Sequence, residues 1–389
     1  MPKVLISCGE PSGDLYAGAL AREIRAIDPE SRIFGLGGER LREGGGELVA
    51  DYRGLTVTGL SEALAVVPRS YATYRRLVAR ARADRPDVFV AVDFPEINFR
   101  VAAAMRRLGV PVVYYIGPQV WAWRRGRLRA MRGFVDLALV IFPFEAALYR
   151  DARIPVRFVG HPLLELTAAT AAREALLRSL GLNPQAPTVA LLPGSRPNEL
   201  RAILPDLAAG AAIVRERVPR VQFVVARAPH LDDELLAPLR PLAADGAAAI
   251  VEGRADDVLA ASDAVVTASG TATVQTAIHG RPMVIVYRLS ALTYHVVRAF
   301  SHVRNAGMVN LIAGEQIVPE LLQNALTPAA VADEVVRFLT DADLAARTRA
   351  ALGGVRERLG AVGASRRAAE HVVALARQEA AASQSLRRG

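Results

Sequence analysis

Asp93 stands directly after an apolar run, Val88–Val92, in the string Val-Asp-Phe-Pro-Glu-Ile-Asn. A carboxylate at the carboxyl end of a parallel strand points into a cleft. A low-dielectric cleft raises its pKa and suits it to work as a base. Pro95 fixes the exit turn, and Glu96 or Asn98 can brace the loop. Taken alone, Asp93 serves equally well as the cap of the next helix. A second group is Leu191-Leu192-Pro193-Gly194-Ser195-Arg196. Gly194 lets the backbone approach a phosphate, and Ser195 and the helix amides donate to it. Arg196 adds a planar fork that suits a diphosphate. Ala268-Ser269-Gly270-Thr271-Ala272-Thr273 makes a similar strand-to-helix turn. Two such turns suggest a nucleoside diphosphate bound across the strand ends of one domain.

Two further stretches carry chemistry. Gly9-Glu10-Pro11-Ser12-Gly13-Asp14 forms a tight turn before a helix, whose first amides can receive an anion. Glu10 and Asp14 would repel a bare phosphate, so a sugar hydroxyl fits there equally well. Ser12 or Asp14 as a plain helix cap is the alternative. Tyr114 to Arg125 holds both tryptophans, Trp121 and Trp123, beside Arg124 and Arg125. Aromatic rings next to arginines stack bases, line a sugar site or touch lipid headgroups; a core pair beside a solvated basic helix is the other reading.

The composition excludes several chemistries. Of 48 basic residues only Lys3 is lysine. There is no G-K-[ST] loop, no Schiff-base lysine and no kinase-type strand lysine. Cys8 is the single cysteine, which removes internal disulfides and Cys-ligated metal centres. The six histidines, His161, His230, His279, His295, His302 and His371, show no metal spacing. Gly35-Leu36-Gly37-Gly38 lacks the last glycine of a dinucleotide fingerprint, because Arg40 stands there. Neither a metal nor a cofactor is expected.

These residues need a scaffold. Short Val- and Ile-rich runs alternate with helical patterns: strands over Lys3–Ser7, Arg32–Leu36, Val88–Val92, Val110–Ile116, Asp136–Ile141 and Val156–Val159, with helices such as Gly13–Ile27, Tyr71–Arg82 and Ile97–Leu108. After Gly160-His161-Pro162 a second series starts at Val189–Leu192 and runs through Val221–Ala226, Ala248–Val251, Ala264–Thr267 and Met283–Tyr287. From Pro328 onward the chain reads as helical. The fold class is therefore α/β, with two Rossmann-like doubly wound domains facing a cleft. The expected bounds are 1–162, 163–345 and a set of C-terminal helices, 346–389, packing back towards the first domain.

The charge is uneven. Residues 53–132 hold 15 Arg against 5 acids, a net +10, while the whole chain carries +9. Such a field suggests an anionic partner: a phosphorylated substrate, a bilayer surface or nucleic acid. Apolar and basic residues interleave over 52–85, as in a helix lying on an anionic bilayer; packing on the sheet is the alternative. No signal peptide and no apolar run of membrane-spanning length is visible, so a cytosolic protein is the default.

Together these motifs resemble the lipid-A-disaccharide synthase family of GT-B glycosyltransferases. The matching pieces are Gly9–Asp14, Asp93–Asn98, Pro118-Gln119-Val120-Trp121-Ala122-Trp123-Arg124, Phe142–Glu145, Phe158–Pro162, Leu192–Arg196, Ser269–Thr273, Pro282-Met283-Val284, Asn310–Gly314 and Val318–Gln323, in the family's order. The resemblance implies an inverting, metal-independent, peripheral membrane enzyme on the inner face of the cytoplasmic membrane. Its substrates would be UDP-2,3-diacylglucosamine and 2,3-diacylglucosamine 1-phosphate, with no nucleic acid partner and a homodimer left open. It casts Asp93 as the base and Arg196 as the diphosphate holder. Glu10, Ser12, Gly13, Asp14, Trp121 and Arg124 would form the acceptor side. Gly194, Ser195, Ser269, Gly270, Thr271, Ala272, Thr273, Gln275, Asn310 and Glu320 would bind UDP. Gln275 stands where the family usually has Glu, Met308-Val309 where Leu-Pro is usual, and Gly117 and Gln119 where serines are usual. A soluble UDP-sugar transferase or epimerase of the same fold is the rival reading.

Overall fold

The structure is a computed structural model, and it describes residues 1–55, 60–118, 126–229, 231–289 and 307–388, without the side chains of 60–65 and 382–388. The chain divides into two compact units, Met1–Pro162 with Leu359–Gly389, and Leu163–Arg358.

In the first unit the elements run β1 (Lys3–Ser7), α1 (Pro11–Ile27), β2 (Arg32–Gly37), α2 (Glu39–Glu43), β3 (Glu47–Asp51), α3 (Leu60–Asp84), β4 (Val88–Val92), α4 (Pro95–Arg107), β5 (Val112–Tyr115), α5 (Gly126–Met131), β6 (Leu137–Val140), α6 (Glu145–Asp151) and β7 (Val156–Phe158). The second unit holds α7 (Leu163–Leu166), α8 (Arg173–Ser179), β8 (Thr188–Leu192), α9 (Pro197–Arg217), β9 (Gln222–Arg227), a 3-10 turn (Asp233–Leu239), α10 (Arg240–Ala244), β10 (Ala248–Glu252), α11 (Ala255–Ala261), β11 (Ala264–Ala268), α12 (Thr271–Ile278), β12 (Met283–Tyr287), α13 (Met308–Ala313), β13 (Glu320–Leu322), α14 (Pro328–Thr340) and α15 (Ala342–Arg358). The last helix, α16 (Ala364–Arg388), belongs to the first unit.

Each unit is built on one parallel sheet. The first has strand order β3-β2-β1-β4-β5-β6-β7 and the second β10-β9-β8-β11-β12-β13. Helices cover both faces, so the central strands are buried throughout and almost wholly apolar: every residue of β4, β8 and β11 is buried, Thr188 and Thr267 being the polar ones. Alternation still sorts the faces. Leu5, Phe34, Phe89 and Tyr114 pack with Leu77 of α3 and Ile97, Val101 and Met105 of α4 in one core. The opposite face meets α16, which packs on α1 and β4. In the second unit Val189, Leu191, Phe223 and Val266 join Ile203 and Leu207 of α9 and Val331 and Val335 of α14.

The strand order fixes where ligands can bind. β1 leads outward to β2, whereas its neighbour β4 leads the other way to β5. β8 and β11 stand in the same relation in the second sheet. These are topological switch points, where diverging connections leave a crevice at the strand ends.

The structure departs from the sequence expectations in three places. α3 starts at Leu60, well before Tyr71, and passes through Pro68. Two short, polar-flanked edge strands, β3 and β13, had no strong apolar signature. The chain returns to the first unit at Leu359, not after residue 345, because Leu352 and Val355 keep α15 buried against α12 and α13.

Candidate active site

At the first switch point the turn after β1 faces the turn after β4. Gly9 lies under the Phe94 ring: a Cβ at Gly9 would sit 2.1 Å from two ring carbons. Asp93 and Phe94 both adopt left-handed backbone, with φ of 45° and 49°. Each non-glycine residue held there costs on the order of 1–3 kcal/mol, and such strain gathers at functional sites. The Asp93 amide is bonded to the carbonyls of Tyr115 and Ile116, at 3.3 and 3.1 Å. Its own carbonyl accepts from Asn98 Nδ2 and from the Tyr114 hydroxyl, each at 2.8 Å. Burial, with the Asp93 charge as a lesser cause, pushes the Tyr114 phenol well up, so it stays protonated and keeps the hydrogen it donates to Asp93 O.

The six residues from Gly9 to Asp14 divide by direction. Glu10 is the half-buried N-cap of α1, and Ser12 is half-buried in its first turn. Asp14 turns inward. Its carboxylate accepts from the amides of Gly38 (2.7 Å), Arg40 (2.9 Å) and Leu41 (3.2 Å), and so caps α2. Gly13 is buried, with space for a Cβ no closer than 3.3 Å to Cys8. Trp121 and Arg124 lie outside the described residues.

At the second switch point Gly194 has φ 118°, the left-handed side that favours glycine, and Ser195 is exposed. Arg196 is the N-cap residue of α9. Its guanidinium meets Glu199 at 3.1 Å, and the same carboxylate accepts from the Ser195 amide at 3.4 Å. Glu199 was not singled out from sequence, although its place three residues after the N-cap is the capping-box spacing. A groove of about 580 Å³ opens beside this turn, lined by Pro197, Leu200, Arg201, Leu231 and Leu235.

The turn after β11 is built around Gly270, with φ 146°. Ser269 donates its amide to the Val286 carbonyl of β12 at 3.1 Å. Thr273 is buried and spends its hydroxyl on the Gly270 carbonyl at 2.7 Å, bracing the turn from inside. Thr271, Ala272 and Gln275 are half-buried on α12. Asn310 is wholly buried and all of its amide is used: Nδ2 donates to Val318 O and Glu320 Oε1, and Oδ1 accepts from the amides of Ile317 and Val318. Glu320 Oε1 also accepts from the Gly307 amide at 3.0 Å. Asn310 therefore ties α13 to Glu320 and the 314–320 loop.

The structure thus gathers Gly9, Glu10, Ser12 and Asp93 at one switch point, and Gly194, Ser195, Arg196, Ser269 and Gly270 at the other. Tyr114 was a missed contributor. Its only signal was a phenol in a strand buried on both faces, which needs a hydrogen-bond partner. Among the described residues no cluster of three or more His, Cys, Asp or Glu side chains could hold a metal ion.

This arrangement has counterparts. Among solved structures, the chain superposes on UDP-GlcNAc 2-epimerase from Neisseria meningitidis bound to UDP-GlcNAc, with a TM-score of 0.67 at 12% identity over 95% of this chain and 99% of that one. It also matches the calicheamicin glycosyltransferase CalG4, at TM-score 0.61 and 18% identity over 96% and 98% of the two chains. At such identities these structures speak for the fold alone, two Rossmann-like domains of GT-B type. In sequence it is 42% identical over 371 residues to the lipid-A-disaccharide synthase of Geobacter sulfurreducens, covering 94% of this chain and 95% of the relative. It is 42% identical over 374 residues to that of Myxococcus xanthus, covering 96% and 97%. The family model for lipid-A-disaccharide synthetase matches residues 4–372, and the chain belongs to the lipid-A-disaccharide synthase family.

Proposed function

We propose that this hexosyltransferase moves 2,3-diacylglucosamine from UDP-2,3-diacylglucosamine to the 6-hydroxyl of 2,3-diacylglucosamine 1-phosphate, releasing UDP and forming the β(1→6) disaccharide of lipid A. The observation that carries this reading is the family match over residues 4–372, with Asp93 and Arg196 each standing at the switch point of its own sheet.

In the proposed step the Asp93 carboxylate takes the proton of the acceptor 6-hydroxyl. The freed oxygen attacks the anomeric carbon from the side opposite UDP, and the bond from that carbon to the diphosphate breaks with inversion. UDP leaves with the electron pair. Arg196, the Ser195 amide and the α12 N-terminus meet the charge that develops on the diphosphate. Glu199 keeps the Arg196 fork in place before the donor arrives. Asn310 and Glu320 shape the donor side from beneath.

The proposed acceptor is a lipid, and exposed residues of α3 suit contact with a bilayer surface. Val67 and Tyr71 are exposed large apolar residues, and Arg69, Arg75 and Arg76 are exposed beside them. Part of the local charge excess is spent on structure: Arg53 pairs with Asp51, Arg80 with Glu47 and Asp84, and Arg106 with Asp136. Among the described residues no helix is long and apolar enough to cross a membrane. Peripheral attachment to an anionic leaflet on the cytoplasmic side fits both facts.

The test is UDP release with both lipid substrates present and with each omitted. Release only when both are present supports the reading. Asp93→Asn should lower turnover by roughly 10²–10⁴-fold, and Arg196→Ala by a comparable amount. Release from the donor alone, or from a soluble UDP-sugar, would favour the soluble transferase or epimerase instead.

A further inference from the structure

The backbone at Asp93 is held in place from several directions. Asp93 and Phe94 are consecutive non-glycine residues in left-handed conformation, and such a pair persists only where its surroundings over-determine it. Two fully buried side chains provide that constraint. Asn98 Nδ2 and the Tyr114 hydroxyl converge on the Asp93 carbonyl, each at 2.8 Å. Asn98 also donates to Ser7 O at 3.1 Å and to Val92 O at 3.3 Å, and its Oδ1 accepts from the Ser7 hydroxyl at 2.6 Å. One amide therefore joins the ends of β1 and β4 across the switch point. If the Asp93 peptide relaxed to an ordinary β or α conformation, its carbonyl would leave the Tyr114 hydroxyl without this acceptor in a dry interior and Asn98 Nδ2 with only its longer bonds to Ser7 O and Val92 O.

We propose that Asn98 and Tyr114 are positioning residues for the transfer: by gripping the Asp93 carbonyl they hold the Asp93–Phe94 backbone left-handed, and so set the direction from which the Asp93 carboxylate meets an acceptor hydroxyl. This rests on Asp93 acting as the base. Neither side chain touches the reacting atoms. Their effect comes through geometry, and a misplacement of about 1 Å at a reacting group can cost on the order of 10²-fold in rate.

The experiment is UDP-release kinetics on the purified enzyme carrying Tyr114→Phe, Asn98→Ser, Asp93→Asn, and Tyr114→Phe combined with Asp93→Asn. Melting with and without UDP is measured on each. Tyr114→Phe removes one oxygen and keeps the ring packing. It should lower kcat by about 10-fold or more while the donor KM stays within about twofold, the signature of lost transition-state geometry. The UDP-induced melting shift should persist. Asn98→Ser should lower kcat further. Tyr114→Phe should add nothing in the Asp93→Asn background, because both act on one group. Parent-like kcat in Tyr114→Phe, with Asp93→Asn inactive, overturns the clamp and leaves the base assignment standing. Near-normal turnover in Asp93→Asn means that the base assignment itself has failed. Multiplying effects in the double variant also overturn the clamp, since Tyr114 would then act independently of Asp93. If Asn98→Ser does not fold, Tyr114→Phe decides alone.

Discussion

Asn310 donates through Nδ2 to Glu320 Oε1 at 2.7 Å, and the same glutamate oxygen accepts from the Gly307 amide. A buried amide with all of its bonds made inside the protein has nothing left to offer a ligand. Asn310→Asp puts a second carboxyl against Glu320 and the Val318 carbonyl. Leaving buried groups unpaired costs about 1–3 kcal/mol each. At roughly 2–4 °C per kcal/mol for a domain of this size, the variant should melt several degrees lower. Calorimetric titration should show weaker UDP binding. A variant that melts with the parent and binds UDP normally would remove the Asn310–Glu320 link from the donor site.

Asp14 makes the same point in the first domain. Its carboxylate is taken by the amides of Gly38, Arg40 and Leu41, so we expect it to contribute to stability. Asp14→Asn turns one amide donor towards those N–H groups. The expected loss is about 1–3 kcal/mol of unfolding free energy. Turnover per folded molecule at low temperature should change little. Urea titration and UDP release on the same sample decide it; an unshifted midpoint with lost turnover would return Asp14 to the reaction itself.

Gly9 has to be small because the Phe94 ring rests on it. Gly9→Ala forces a Cβ to within 2.1 Å of the ring unless Phe94, and with it the residue next door, Asp93, moves. We expect kcat to fall by about 10-fold or more, in keeping with geometric displacement at a catalytic group. Gly109→Ala is the control: Gly109 has nothing within 4 Å of its Cβ but sits at φ 72°, so the change should cost stability without a comparable loss of kcat. Equal kcat losses in the two variants would sever Gly9 from the site.

His161 bears on the pH dependence. It is fully buried against the Tyr16 and Phe142 rings, and burial pushes its pKa down to about 3 from the ordinary 6.5. The folded state therefore refuses a proton that the unfolded chain accepts below pH 6.5. Between pH 6.5 and about 3 the unfolded state holds more protons, so this residue makes stability fall as pH falls. The slope approaches about 1.4 kcal/mol per pH unit in that window and vanishes above it. His161→Asn should flatten the acid side of a plot of unfolding free energy against pH. An unchanged slope would show that other groups carry it.

Much of this was legible in the chain. Alternating Val- and Ile-rich strands and helices dictate two parallel sheets, because both faces must be covered and the pattern repeats on either side of Gly160–Pro162. Positive-φ glycines such as Gly194 and Gly270, set between a strand and a helix, mark the turns, since backbone geometry is local. Asp93 stands out because it follows its strand directly, and Arg196 because it closes the Pro193-Gly194-Ser195 turn after β8. What each polar side chain faces is not local. Asp14 and Glu10 belong to one turn, yet Asp14 is drawn inward by the amides of Gly38, Arg40 and Leu41, which lie 24, 26 and 27 residues along the chain. Asn310 and Thr273 are likewise spent inside the fold, and no spacing rule states that. The return of the chain at Leu359 depends on the burial of Leu352 and Val355. Sequence alone settled the two parallel sheets apart from their edge strands β3 and β13, the glycine turns, and the position of Asp93 at the end of β4. The left-handed backbone at Asp93, the choice of Asn98 over Glu96 as its brace, and the meeting of Asn98 and Tyr114 on one carbonyl were decided only by tertiary structure. Asn98 and Tyr114 lie 5 and 21 residues from Asp93 along the chain, and packing β1, β4 and β5 side by side is what brings them to one carbonyl.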